Sequence, residues 1–394
     1  MEKTLDCKLR NIHADPLQSR EFLIADAKDA DMGFGVAAPG HVLEGDGRLG
    51  RFKTLEEYRE QIRQVIRQGI VDIVLMSAST AEILCLQEGL FENSQVTPAM
   101  RANDATDIFV FRGSNIPREA ARPFRSATID HTQCGRWECP QEQRKDGVNL
   151  GLYSVTFNND VELDLKTLEA YKEFRLEAEA KGFRHFLEVF HPNLQGVVEP
   201  RIIPNFINDV IARTLAGVTS SARPLFLKIP YPGPAALEEL VSYDPHLVVG
   251  ILGGSAGTTR DAFQMIHDAQ KYGARVALYG RKINNAENQL AFIEFLRLIV
   301  DGVVTPEEAV RAYHAVLVKL GLPARRPLEE DQKLTEQTMS YSSTTGKTLS
   351  IPSPIGEPKI VSDVPDQSGA TQSVSSMNSE ERLAYFRERL RKLN

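Results

Sequence analysis

One repeated unit governs the architecture open to these 394 residues: a short apolar run followed by a longer stretch with apolar residues at helical spacing. Runs at 22–26, 71–77, 107–112, 149–157, 185–190, 225–231, 247–252 and 275–279 make eight. Amphipathic stretches are clearest at 54–67, 165–181, 258–272 and 287–300. Such alternation marks β-α units around a parallel sheet, and eight of them predict a (β/α)8 TIM barrel, class α/β, over 1–322. The third unit is irregular. Segment 126–131 also reads as a strand and 113–147 holds no convincing helix, so an elaborated loop after strand three is expected.

In this architecture the chemistry sits at the carboxyl ends of the strands. The run Pro224-Leu225-Phe226-Leu227-Lys228-Ile229-Pro230-Tyr231-Pro232-Gly233 places one lysine inside apolar sequence that two prolines then stop. Desolvation disfavours an ammonium, and an amine that attacks a carbonyl needs that bias, so Lys228 is the candidate Schiff-base nucleophile. The alternative is a lysine ion-paired in the barrel, or one at a strand end with its head in solvent. Glu188, within Phe186-Leu187-Glu188-Val189-Phe190-His191, lies on the neighbouring strand. It is either a general acid and base or one half of a salt bridge with Lys228. The first strand ends in Ala25-Asp26-Ala27-Lys28-Asp29. Asp26 is the candidate second proton carrier there, although Asp26 and Asp29 also suit turn capping. Lys28 either lends positive charge to the site or pairs with Asp29.

A second constellation follows the last two strands. Gly253-Gly254-Ser255-Ala256-Gly257-Thr258-Thr259 leads into a helix, and Tyr279-Gly280-Arg281-Lys282 ends the eighth run. Glycine lets backbone N–H groups approach an anion, a helix start adds its positive end, and arginine offers a fork of donors. Gly253, Gly254, Ser255, Gly280 and Arg281 are therefore the expected phosphate ligands.

Together these residues resemble the class I aldolases of the superfamily that includes deoxyribose-phosphate, tagatose-bisphosphate and archaeal-type fructose-bisphosphate aldolases, over about 20–321. The resemblance implies an iminium on Lys228, proton handling by Asp26 and Glu188, and a phosphate on Gly254, Ser255, Gly280 and Arg281. A phosphorylated sugar or keto-phosphate is the implied substrate, with no cofactor and no metal. Lys28, His191 and Tyr231 are the expected substrate contacts, and a homo-oligomer is expected. Two departures keep the substrate open. Strand seven, Val248-Val249-Gly250-Ile251-Leu252, lacks the second lysine of the deoxyribose-phosphate enzymes, and strand four, Leu152-Tyr153-Ser154-Val155-Thr156, lacks the lysine of the tagatose type. Three rivals stand beside an aldolase. One is a metal enzyme or metal-dependent aldolase using His131, Cys134 and Cys139, or His185, His191 and His246, although their spacing matches no tight zinc motif. Another is a sugar-phosphate isomerase with Glu188 as base, and the third is an inactive barrel scaffold.

Four cysteines make no disulfide framework, the start Met1-Glu2-Lys3-Thr4-Leu5-Asp6 lacks a signal-peptide core, and no run is apolar enough to span a bilayer. A cytoplasmic protein is expected, without a membrane partner. The formal charge of −7, with no basic stripe, excludes nucleic acid as a partner. From 323 to 376 the chain turns rich in serine, threonine, proline and glycine and reads as a flexible linker. Residues 377–394 then carry Leu383, Phe386, Leu390 and Leu393 on one helical face, behind an Asn378 cap. This tail resembles the encapsulation peptides that recruit enzymes to bacterial microcompartment shell proteins. The alternative is a helix that folds back on its own barrel or pairs with another subunit.

Overall fold

The computed structural model describes residues 2–43, 49–254 and 257–335. Eight parallel strands close into a barrel: β1 (Leu23–Lys28), β2 (Ile73–Met76), β3 (Thr97–Arg101), β4 (Leu150–Thr156), β5 (Arg184–Phe190), β6 (Leu227–Ile229), β7 (Val249–Leu252) and β8 (Val276–Tyr279). Strands neighbour one another in chain order, and β1 pairs with β8 to complete the ring. The principal helices are α1 (Thr4–Ala14), α2 (Leu55–Gln68), α3 (Val161–Ala180), α4 (Ile203–Ala216), α5 (Pro234–Tyr243), α6 (Thr259–Lys271), α7 (Gln289–Val300) and α8 (Pro306–Lys319). Capping boxes at Thr54/Glu57, Thr258/Asp261 and Thr305/Glu308 start α2, α6 and α8.

Successive residues of a strand face opposite ways, and here both faces are buried. Leu23, Ala25, Leu75, Ala99, Leu152, Phe186, Phe226, Val248 and Leu278 fill the lumen. Ile24, Val74, Met100, Leu187, Leu227, Val249 and Ala277 pack outward into the core shared with the helices. The unforeseen α1 closes the amino end of the barrel, where Leu5, Leu9 and Ile12, spaced for one helical face, join the lumen cluster.

The third strand is not where sequence placed it. Segment 107–112 forms no sheet, and Thr97–Arg101 takes its place between β2 and β4. The apolar residues of 107–112 instead pack over the carboxyl end, Ile108 against Ala105, Phe190 and Leu252, and Val110 against Phe34 and Ala38. The chain between β3 and β4 is the expected elaborated loop, but 126–131 contributes to a short helix, Ile129–Cys134, capped by Thr128. A Cys134–Cys139 disulfide closes the turn after it, and Cys7 and Cys85 are free.

Ordered packing also runs past the expected boundary at 322. Thr335 bonds Asp261, and Asp331 bonds α6. The expected helix 377–394 and the linker from 336 onward lie outside the described residues. Among the described residues no helix is long and apolar enough to cross a membrane.

Candidate active site

Lys228, Glu188, Ser154 and Arg101 share the parity of Phe226, Phe186, Leu152 and Ala99, so all four side chains turn into the lumen near the carboxyl ends of β6, β5, β4 and β3. They form one connected chain. Lys228 Nζ lies 2.6 Å from Glu188 Oε1. Ser154 Oγ donates to Glu188 Oε2 at 2.7 Å and accepts from Arg101 Nη1 at 3.0 Å. Arg101 Nη2 stands 3.7 Å from the same Glu188 oxygen, and Arg101 Nε donates to Asp29 Oδ2 at 2.5 Å. Two cations and two carboxylates therefore alternate across the mouth, each charge facing an opposite one, the condition for burying such groups. Asn103 fixes Ser154 by bonding both its N–H, at 2.6 Å, and its carbonyl, at 2.8 Å.

Below this layer the Phe186 and Phe226 rings stack with centroids 4.5 Å apart. Above it the Ala105, Ile108, Phe190 and Leu252 cluster narrows the mouth, and Lys228 is only 7% exposed. The loop that displaced the expected third strand adds Asp107, whose Oδ2 accepts from Thr156 Oγ1 at 2.8 Å. Burial pushes the Asp107 carboxyl up to about 6, and the nearby Glu188 charge acts in the same direction. Sequence alone does not single out Arg101, Asp29, Ser154 and Asp107 as site residues. Their signal is present in part, since Ser154 and Glu188 are polar residues within apolar strands, but it becomes specific only once the third strand is located.

Other expected residues face elsewhere. Asp26 and Lys28 share the parity of Ile24 and point out into the helix layer, where Lys28 Nζ sits 3.4 Å from Asp26 Oδ2 and donates to Gln289 Oε1 of α7 at 3.1 Å. The lumen-facing carboxylate of β1's end is Asp29. Tyr231, in step with Leu227 and Ile229, belongs to the helix-facing core. His191 stands just beyond β5, where burial holds its imidazole down at about 4 and so neutral at physiological pH.

The loops after β7 and β8 only partly match a phosphate cradle. Gly253 donates its N–H to Leu278 O at 2.7 Å, and a side chain there would run into the Tyr279 ring, so this glycine serves packing. Gly254 has φ +58°, a conformation that favours glycine. Ser255 lies outside the described residues. The start of α6 is already engaged, because Thr259 N–H donates to Asp331 Oδ1 at 2.8 Å. Arg281 turns toward the flank of the barrel, its guanidinium 5.3 Å from the Phe34 ring centroid. Burial pulls that guanidinium down to about 9.

The residues weighed as metal ligands are dispersed. Cys134 and Cys139 are joined to each other, His131 Nδ1 pairs with Thr128 Oγ1 at 2.7 Å, and His185 Nε2 with Tyr171 Oη at 2.9 Å. His246 stands against His13 at the opposite end of the barrel. Among the described residues no three His, Cys, Asp or Glu side chains converge on one point.

The chain defines a TIM barrel with an ionic site in its mouth, and comparison with solved structures places that fold. An archaeal fructose 1,6-bisphosphate aldolase superposes with a TM-score of 0.53 at 15% identity, covering 75% of this chain and 99% of the other. A fructose-1,6-bisphosphate aldolase described as Schiff-base-forming gives 0.52 at 16% identity over 75% and 100%. The fructose-bisphosphate aldolase from Slackia heliotrinireducens gives 0.55 at 14% identity over 86% and 94%. At such identities the likeness is one of fold. No protein-family model and no curated protein matches the chain.

Proposed function

We propose that this barrel is a class I aldolase that cleaves or forms a carbon–carbon bond in a phosphorylated sugar through a Schiff base on Lys228. The observation that carries this reading is the Lys228–Glu188 contact of 2.6 Å, on the lumen face at the carboxyl end of β6, in a fold shared with Schiff-base aldolases. Glu188 takes a proton from the Lys228 ammonium, and the free amine adds to the substrate carbonyl. Glu188 then protonates the carbinolamine hydroxyl, which leaves as water and gives the iminium. Asp107 accepts the proton of the hydroxyl on the carbon β to the iminium. The carbon–carbon electron pair moves into the iminium, an aldehyde departs, and an enamine remains. Protonation of the enamine carbon and hydrolysis return the lysine.

Arg101 and Ser154 hold Glu188 in place, and Asp29 rather than Asp26 completes the charge pairing from β1. The substrate phosphate is assigned to backbone N–H groups of Gly254, Gly280 and Arg281, since that of Gly253 is engaged in the barrel. The tail 377–394 serves as a docking helix for microcompartment shell proteins, a role supported by its apolar stripe behind a long polar linker. Its removal is expected to leave turnover unchanged.

The test is intact mass spectrometry after borohydride reduction with dihydroxyacetone phosphate and a panel of keto-sugar phosphates, followed by peptide mapping. A reduced adduct on Lys228 that disappears in Lys228→Ala is the expected result. No adduct with any carbonyl compound, or one that persists in Lys228→Ala, overturns the assignment.

A further inference from the structure

Helix α3 packs one face against the barrel and carries an apolar stripe on the other. Thr167, Tyr171, Phe174 and Ala178 are buried, at the spacing of a single helical face. With about 100° of turn per residue, the opposite side carries Val161, Leu165, Glu169, Lys172, Leu176 and Ala180, all of them exposed. Val161 is 75% exposed, Leu176 57% and Leu165 54%. The outward face of α2 instead holds Glu56, Glu60, Arg63 and Arg67 in a ladder of ion pairs, as a helix facing water does. Three large apolar side chains in line over about 22 Å of one helix differ from apolar residues scattered singly over a surface.

The order of residues along this stripe makes it complementary to itself. A two-fold axis passing between positions 170 and 171 lays the helix antiparallel on a copy of itself, and each contact then occurs twice. Leu165 meets the partner's Leu176, and Val161 meets the partner's Ala180. Glu169 meets the partner's Lys172, so two pairs of opposite charge flank the axis between the apolar contacts. Charge pairs set between apolar contacts fix the register and orientation of two packed helices. Glu162 and Glu179 approach each other only at the rim, where water and salt screen them. A stripe whose charges and leucines match their own reversed order fits a second copy of this chain.

We propose that α3 is a self-association helix, pairing antiparallel with α3 of a second copy about this axis. The leucines supply the buried area and the Glu169–Lys172 pairs set the register. The contact lies on the outside of the barrel, uses no residue of the Lys228 chain, and is independent of the aldolase reading.

Engineered cysteines and analytical ultracentrifugation of the full chain test it. Positions 165 and 176 are about 16 Å apart along one helix, so cysteines at both cannot bridge within a chain. Leu165→Cys combined with Leu176→Cys, oxidised with copper phenanthroline, is expected to give a covalent dimer on a gel run without reductant. Each single variant should give none, because the axis keeps like positions equally far apart. In the ultracentrifuge Leu176→Glu should halve the mass of the assembly. Glu169→Lys alone and Lys172→Glu alone each set like charges together and should weaken association roughly tenfold or more at low salt, whereas the two combined restore the pairs and should return the wild-type affinity. Circular dichroism melts of each variant separate an association defect from a folding defect. A wild type that is monomeric at the highest soluble concentration overturns the proposal, as does an assembly that Leu176→Glu leaves intact. Failure of the combined charge exchange to recover affinity, or a cross-link formed equally by the single cysteine variants, overturns the antiparallel pairing.

Discussion

The buried Asp26–Lys28 pair bears on which acidic residue at the end of β1 faces the lumen. Both side chains are 0% exposed, 3.4 Å apart, and aimed into the helix layer. Burial pushes the Asp26 carboxyl up to about 6 from an ordinary 3.8, against the opposing pull of Lys28. Because its folded-state value lies above the unfolded one, protonation favours the fold. The charged form thus weakens stability above about 6, and the loss is recovered as pH falls toward 3.8. At about 1.4 kcal/mol per pH unit the full effect is about 3 kcal/mol, of which about 2 kcal/mol is recovered between pH 7.5 and 4.5. Lys28→Met alone strands a buried carboxylate and should lose about 3–5 kcal/mol at pH 7.5. Asp26→Leu combined with Lys28→Met removes both charges and should be as stable as the wild type, or more stable by about 1–4 kcal/mol. Urea denaturation followed by circular dichroism at both pH values reads these differences, and the wild type should gain on the double variant by about 2 kcal/mol as pH falls. Adduct formation on Lys228 should continue in the double variant, since neither side chain reaches the lumen. A double variant that melts like the wild type but forms no adduct would return Asp26 to the chemistry. One less stable by more than about 3 kcal/mol would refute the energetic argument.

Other consequences are equally direct. Arg101→Met leaves Asp29 and Glu188 without their shared cation and should lower the unfolding free energy by about 3–5 kcal/mol, read from urea midpoints. Asp107→Asn should still form the borohydride adduct while turnover falls roughly 10²–10⁴-fold, and the acidic limb expected near pH 6 in the wild-type pH–rate profile should be absent from the variant's. Leu9→Ala, at the plug in the amino end of the barrel, should cost about 2–5 kcal/mol without changing substrate affinity, measured by thermal melts beside initial rates.

Much of this protein was legible in its sequence because the relevant signals are local. The alternation of apolar runs with amphipathic stretches specifies a barrel whatever the exact boundaries, and Thr54, Thr258 and Thr305 announce the helices they cap. Lys228 and Glu188 stood out because a charge inside an apolar run requires a partner, and adjacent strands could supply one. The orientation of the first strand and of Tyr231 was not legible. A parallel strand buried on both faces shows no polar–apolar alternation, so parity alone separates Asp26 from Asp29, and parity follows from how the strand seats in the closed ring. The third strand was hidden for a related reason. Pro98 offers no ladder donor, so Thr97–Arg101 reads as a poor central strand, whereas the run at 107–112 carries the residues that strands favour. Only closure of the barrel, which left room for one strand between β2 and β4, assigned Thr97–Arg101 to the sheet and the apolar loop to the mouth. That same step brought Arg101 between Asp29 and Glu188, and Asp107 beside them. Residue type and local pattern determine the fold and the candidate nucleophile, whereas the face each residue presents, and so which carboxylates meet that nucleophile, is a long-range property of the closed sheet.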